Sequence, residues 1–225
     1  MRIGIIVAMQ KELDLLLPLL QDSEESRMGG FEFHRGKVGR HDVMVMKCGI
    51  GKVNAAMGTL TLLNAFLPDY IINSGVAGGA DQSINVMDVV ASERVAYHDV
   101  WCGPESEVGQ VQGLPLYFKG DKRLLNLLPE GEIIHKGLIC SGDQFIDKME
   151  SVNRIKGNFP DALAVDMESG AIAQVCHLNH VPFLALCVIS DSPGASHDNT
   201  RQYLDFWTDA PRETFTIVKD MINRL

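Results

Sequence analysis

Short apolar runs alternate along this chain with stretches of helical periodicity, and that alternation predicts an α/β fold. Ile3–Ala8 reads as a buried strand. Gln10–Leu20 reads as the helix behind it, with Leu13, Leu16, Leu17 and Leu20 on one face and Pro18 kinking or ending the last turn. Phe31–Val38 and Asp42–Cys48 read as an antiparallel pair turning at Gly39-Arg40. A helix is expected from Gly49-Ile50-Gly51 to Phe66, then a strand over Tyr70–Ser74 that ends in Gly75-Val76-Ala77-Gly78-Gly79. Val86–Val95, Glu132–Cys140, Ala162–Val165 and Val181–Ile189 read as further strands, and Lys122–Leu128 and Glu168–Leu178 as helices. Asp205–Leu225 reads as one closing amphipathic helix. The stretch His98–Pro115 holds three glycines and two prolines and is the best candidate for a long functional loop. With no repeat or linker, residues 1–225 read as a single domain: a mixed, twisted central sheet flanked by helices.

Composition narrows the function. A net charge of −9 without a dense basic cluster argues against a nucleic-acid partner. No apolar run approaches the roughly 20 residues of a membrane span. Cys48, Cys102, Cys140, Cys176 and Cys187 are odd in number, widely spaced and free of any CxxC pair, which points to a reducing, cytoplasmic setting and away from a zinc ribbon. Glu12 and Asp14 follow the first apolar stretch at once, so that stretch reads as a strand rather than a signal peptide.

The chemistry gathers at strand ends. Ser74-Gly75, Ser141-Gly142-Asp143, Asp166-Met167-Glu168 and Ser190-Asp191 each close an apolar run, and ligands of open α/β sheets bind outside such ends. Helix capping explains any one of these acids, or Glu12, but their recurrence points to a shared small-molecule pocket. Cys48–Val53 fails as a phosphate loop, because Val53 follows the lysine where a Ser or Thr must hold magnesium, and it reads as a tight strand-to-helix turn. Gly75–Gly79 is small enough to bring backbone N–H groups against a ligand. His98-Asp99 points to opposite faces and reads as a loop feature; no HxxxH or HExxH spacing exists, and neither a metal nor a cofactor is expected.

Taken in order, Ile3–Met9 with Glu12, Gly49–Ala56, Ile71–Gly79, Tyr97-His98-Asp99, Ser141–Ile146, Val165–Glu168 and Ile189–Asp191 make the chain resemble, nearly end to end, the 5′-methylthioadenosine/S-adenosylhomocysteine nucleosidases of the purine nucleoside phosphorylase-like superfamily. The resemblance implies hydrolysis of an N-glycosidic bond through an oxocarbenium-like ribosyl group. It implies Asp191 as the acid that protonates adenine N7, positioned by Ser190, with Phe145 stacking on the base and backbone groups near Ile146 reading its edge. Glu168 would take the ribose hydroxyls, Met167 would pack on the sugar, and Glu12 would deprotonate water. Val76, Ala77 and Gly78 would border the sugar. Met9, Tyr203, Phe206 and the Trp101–Pro115 loop of a second subunit would form the 5′ groove, which implies a homodimer.

Two residues depart from the pattern: Val76 stands where many relatives carry serine, and Cys187 where they carry arginine, near the water. A thiol supplies neither that charge nor those donors. Ser192–His197 also looks longer than its counterparts. The open alternatives are a phosphorylase, a nucleosidase for another purine nucleoside of the aminodeoxyfutalosine type, and a nucleoside-binding protein with weakened turnover.

Overall fold

A computed structural model describes residues 1–131, 133–193, 199–209 and 212–225, the side chains of 208–209 and 212–215 excepted. The strands are β1 (Arg2–Val7), β2 (Gln21–Met28), β3 (Phe31–Val38), β4 (His41–Lys47), β5 (Tyr70–Gly79), β6 (Val89–Tyr97), β7 (Phe118–Lys119), β8 (Ile134–Ser141), β9 (Ala162–Asp166) and β10 (Phe183–Asp191). The helices are α1 (Gln10–Leu16), α2 (Lys52–Phe66), α3 (Lys122–Leu127), α4 (Met149–Asn158), α5 (Ser169–Leu178), α6 (Asn199–Asp209) and α7 (Arg212–Asn223). A short 3-10 turn over Leu17–Leu19 follows α1, so Pro18 ends that helix as its missing N–H requires.

The sheet runs β10-β6-β8-β9-β5-β1-β4-β3-β2, and β10 pairs with β5 as well, which closes five strands into a ring. The strands fall into two parallel sets. β1, β4, β5 and β10 share one direction; β6, β8 and β9 are parallel to one another and run against them. β5 and β9 meet tail to tail, pairing only through Gly78↔Val165 and Gly79↔Ala164. The C-terminal ends of both sets therefore face one space, which a purely parallel sheet would supply from a single side. The apolar strands β1, β5 and β10 are buried on both faces, as near-continuous Ile, Val and Leu runs are when helices cover both sides.

Several expectations needed correction. β5 does not stop at Ser74. It continues through the glycines to Gly79, with β10 paired along it from Ile71 to Gly78. β6 begins at Val89 rather than Val86, because Met87 sits at φ 81°, where no strand can run. The closing helix is two, α6 beginning at Asn199 and α7 at Arg212, consistent with Pro211 in the sequence. Three elements were not foreseen, the two-residue strand β7 among them. β2 is exposed at every position, an edge strand rich in charge with no apolar alternation to betray it. α4 buries Val152 and Ile155. Residues 194–198, which include most of the Ser192–His197 segment, lie outside the described residues.

Candidate active site

The converging strand ends enclose a cavity of about 320 Å³, a volume suited to a small organic ligand. Glu12, Asp166, Glu168 and Asp191 all line it, and no lysine or arginine does among the described residues. A cavity walled by carboxyls without a neighbouring cation favours positive charge in its ligand and repels phosphate.

Glu12 reaches the cavity from the first turn of α1. Its Oε2 accepts from the amides of Ala8 and Met9, each at 2.8 Å, and its Oε1 from the amide of Val76 at 3.1 Å. The bond to Met9, the N-cap residue, is half of a capping box. Helix capping and placement in the site are thus one arrangement. A Cβ on Gly75 would stand 3.1 Å from Glu12 Oε1, so glycine there lets the carboxyl approach the strand. Burial raises the Glu12 pKa to about 7; the three amides pull it down and the charge of Asp166 adds to the rise.

Glu168 closes the β9-to-α5 turn, and its Oε1 accepts from the amide of Gly51 at 2.7 Å. Burial pushes its pKa up to about 8, with Asp166 and Glu12 contributing repulsion against the Gly51 bond. Asp166 does the capping work in the Asp-Met-Glu motif. Its carboxyl accepts from the amide of Ser169 at 3.0 Å and from the Ser169 hydroxyl at 2.8 Å, while burial raises its pKa. The two acids are therefore unequal: Asp166 starts the helix and Glu168 is left facing the cavity.

Asp191 ends β10. Burial raises its pKa, against hydrogen bonds from Ser190 and Asn199. The Ser190 hydroxyl lies on Asp191 Oδ1 and 3.3 Å from the carbonyl oxygen of Ala77, tying the acid to the neighbouring strand. A carboxyl of raised pKa beside a hydroxyl is suited to delivering a proton.

Apolar groups complete the walls. Met9, Val76, Ala77, Gly78, Phe145, Ile146, Met167 and Tyr203 are brought together here with the acids and Ser190. The Tyr203 hydroxyl lies 3.2 Å from Met9 Sδ, and its ring meets Phe145 edge-on with centroids 5.7 Å apart. Phe206 is not among them. It is buried in the apolar core on the far side of α6 and packs edge-on to Trp207 at 5.2 Å. The sequence reading missed Ile50, Gln144, Thr200 and Leu204, which also line the cavity. Thr200, Tyr203, Leu204 and Trp207 follow an i, i+3, i+4, i+7 spacing, a helical signal that starting the helix at Asp205 obscured.

Cys187 is fully buried in β10, opposite Gly75 and Val90, and its thiol is held neutral by burial and by Asp166, Glu12 and Glu168. Trp101, by contrast, is 65% exposed and lies outside this cavity. The Gly49-to-Gly51 segment is a turn, both glycines having positive φ (93° and 95°), yet its Gly51 amide holds an acid of the cavity.

The family model of the phosphorylase superfamily matches residues 2–223. The chain is 38% identical to the 5′-methylthioadenosine/S-adenosylhomocysteine nucleosidase of Haemophilus influenzae (strain PittEE), over 100% of both chains. It is 43% identical to the protein of that name from Bacillus cytotoxicus, over 91% of this chain and 92% of the other. The solved structure of the S. pneumoniae nucleosidase with the transition-state inhibitor MT-ImmA matches with a TM-score of 0.94 at 35% identity, over 100% of this chain and 99% of that one.

Proposed function

This chain belongs to the 5′-methylthioadenosine/S-adenosylhomocysteine nucleosidase family of the phosphorylase superfamily, and we propose that it hydrolyses the N-glycosidic bond of both nucleosides, releasing adenine and the 5′-thioribose product. It is an N-ribosyl hydrolase that takes a small-molecule nucleoside. The observation that carries the reading is the cavity in which Glu12, Glu168 and Asp191 face one space with no lysine or arginine in its lining among the described residues.

The reaction divides among the three acids. The C1′–N9 bond breaks with its electron pair leaving on adenine, and the Asp191 carboxyl gives its proton to N7, so the base departs neutral. Its raised pKa favours this acid being protonated before the bond breaks, and the Ser190 hydroxyl steadies the carboxylate left behind. Glu168 accepts hydrogen bonds from the ribose hydroxyls, and a carboxyl of the wall stabilises the ribosyl cation where it is ionised. Glu12 takes a proton from water as the oxygen bonds to C1′. A proton then returns from Glu12 to Asp191 through solvent, which restores both groups.

Backbone near Phe145 and Ile146 reads the adenine edge, and Met167 packs on the sugar. Met9 and Tyr203 border the 5′ substituent. Cys187 offers Glu12 no cation, and three backbone amides orient that base.

The working form is a homodimer in the cytoplasm. Supporting the dimer, Val53, Met57 and Leu60 expose an apolar face of α2, Ile50 and Phe145 are exposed in the cavity lining, and Trp101 is exposed as well. A second subunit seated there would cover the open side of the cavity with its Trp101–Pro115 loop. No described helix is long and apolar enough to cross a membrane. The test is chromatographic: purified protein is incubated separately with methylthioadenosine, S-adenosylhomocysteine and an aminodeoxyfutalosine-type nucleoside. Adenine from the first two is expected. Release from the third alone would replace this substrate assignment, and tight binding of all three without release would make the chain a binding protein.

A further inference from the structure

Three sequence segments that carry no chemistry in the reaction are joined behind the cavity. The first is the start of α2. Its N-cap is Gly51, which has no side chain to satisfy the helix's leading amides, and two distant acids do so instead. Glu168 Oε1 accepts from the Gly51 amide and Asp143 Oδ1 from the Lys52 amide, both at 2.7 Å.

The second segment is the end of β6. The Lys52 ammonium donates to both oxygens of Asp99, at 2.9 and 2.8 Å, and Asp99 Oδ2 also accepts from the amide of Asp143 at 2.9 Å. Lys52 Nζ stands 5.3 Å over the Tyr97 ring, whose hydroxyl donates to Gln174 of α5. The third is the turn after β8, where Gly142 allows the approach: a Cβ there would meet His98 at 2.5 Å and Asp99 at 2.8 Å. The Lys52 and Asp99 side chains are only 24% and 15% exposed, so their attraction is screened far less than that of a surface pair. Burial alone would raise the Asp99 pKa, but Lys52 and the Asp143 amide outweigh it and hold the carboxyl below its ordinary value.

We propose that Lys52, Asp99 and Asp143 are positioning residues that clamp two halves of the cavity at a fixed spacing, Glu168 on one side and the Gln144–Ile146 segment on the other. The connection is short at both ends. Asp143 directly precedes Gln144, which lines the cavity with Phe145 and Ile146, and the peptide that carries the Lys52 amide begins at Gly51, whose own amide holds Glu168. Release of Lys52 from Asp99 loosens both ends together, leaving the Lys52 amide on Asp143 to join them. The proposal rests on the reading above that these halves hold ribose and adenine. A nucleoside spans them rigidly, so a loosened spacing costs ground-state binding first.

The test uses the full-length protein and its Lys52→Met, Lys52→Arg and Asp99→Asn variants. Adenine affinity is measured by calorimetry, KM and kcat on methylthioadenosine, and amide exchange at Gly51 and over residues 142–146 against that of β1. In Lys52→Met and Asp99→Asn, KM and the adenine dissociation constant should rise about tenfold, or about 1.4 kcal/mol, with a smaller fall in kcat. Exchange should quicken at Gly51 and Asp143 while β1 keeps its protection. Lys52→Arg should recover most of the loss, because its planar fork can span the Asp99 carboxylate. Unchanged exchange at Gly51 and Asp143, or an arginine variant no better than the methionine one, would overturn the clamp. If the unaltered protein neither binds adenine nor releases it, the functional reading fails instead, and the exchange comparison still decides whether the clamp exists.

Discussion

The amide of Val76 donates a 3.1 Å hydrogen bond to Glu12 Oε1, fastening a carboxyl of α1 to the far half of β5. Two more amides hold the other oxygen, so Glu12 is fixed in place before any ligand arrives. Glu12→Gln keeps the size of the side chain but cannot accept a proton. Turnover of methylthioadenosine should fall by roughly 10²–10⁴-fold, the ordinary worth of a general base, with adenine affinity little changed. Steady-state kinetics alongside calorimetry check this. Near-normal kcat in the variant would remove Glu12 from the water-activating role.

Asp191→Asn tests the other proton. An amide can still hydrogen-bond to a purine but cannot protonate it. Turnover is expected to become undetectable while the substrate analogue or adenine still binds. Ser190→Ala should give a milder loss, about tenfold, since the hydroxyl steadies Asp191 without transferring the proton. Equal losses in the two variants would contradict that division of labour.

The buried acids also shape stability. The folded pKa of Glu12 is raised from 4.5 to about 7 and that of Glu168 from 4.5 to about 8, so the folded chain holds protons that the unfolded chain has released. Their contribution is present in full below pH 4.5 and is lost as pH rises through about 7 to 8. Asp81 works in the opposite sense and in a separate window. Its ion pair with Lys156 lowers its pKa from 3.8 to about 2, so its contribution is lost only as pH falls through that range. Thermal midpoints measured from pH 5 to pH 9 should therefore decline toward the alkaline end. Glu12→Gln should flatten that decline, and an unchanged slope in the variant would place the effect elsewhere.

The exposed α2 face gives a fourth expectation. Met57 is 55% exposed, so Met57→Glu should leave the single subunit folded. It should break the dimer, read as a halved mass by light scattering, and lower kcat/KM by opening the cavity rim. A monomeric unaltered protein, or a fully active monomeric variant, would contradict the shared site.

How far the sequence disclosed all this depended on how local each signal was. Phe31–Val38 and His41–Lys47 pair about a turn that the residues themselves announce at Gly39-Arg40. β2 was illegible because Gln21–Met28 buries nothing and is held by the backbone of β3. α4 carried its signal at Val152 and Ile155, an i, i+3 pair that went unread. Glu12, Glu168 and Asp191 were legible as acids at strand ends, but the different parts played by Asp166 and Glu168 within one motif were not. Asp166 turned out to cap α5, and what holds Glu168 at the cavity is a contact with Gly51, 117 residues away in the chain. Phe206 was misassigned because its neighbour Tyr203, three residues earlier on the same helix, faces the cavity while Phe206 faces the core.

With carboxyls and no lysine or arginine lining the cavity among the described residues, water rather than phosphate is expected to receive the ribosyl group. The most direct measurement follows adenine and the sugar product from methylthioadenosine in phosphate-free buffer and again with phosphate added. Equal rates are expected in both, with free methylthioribose as the sole sugar product. A rate that vanishes without phosphate, or a phosphorylated sugar when it is present, would contradict it.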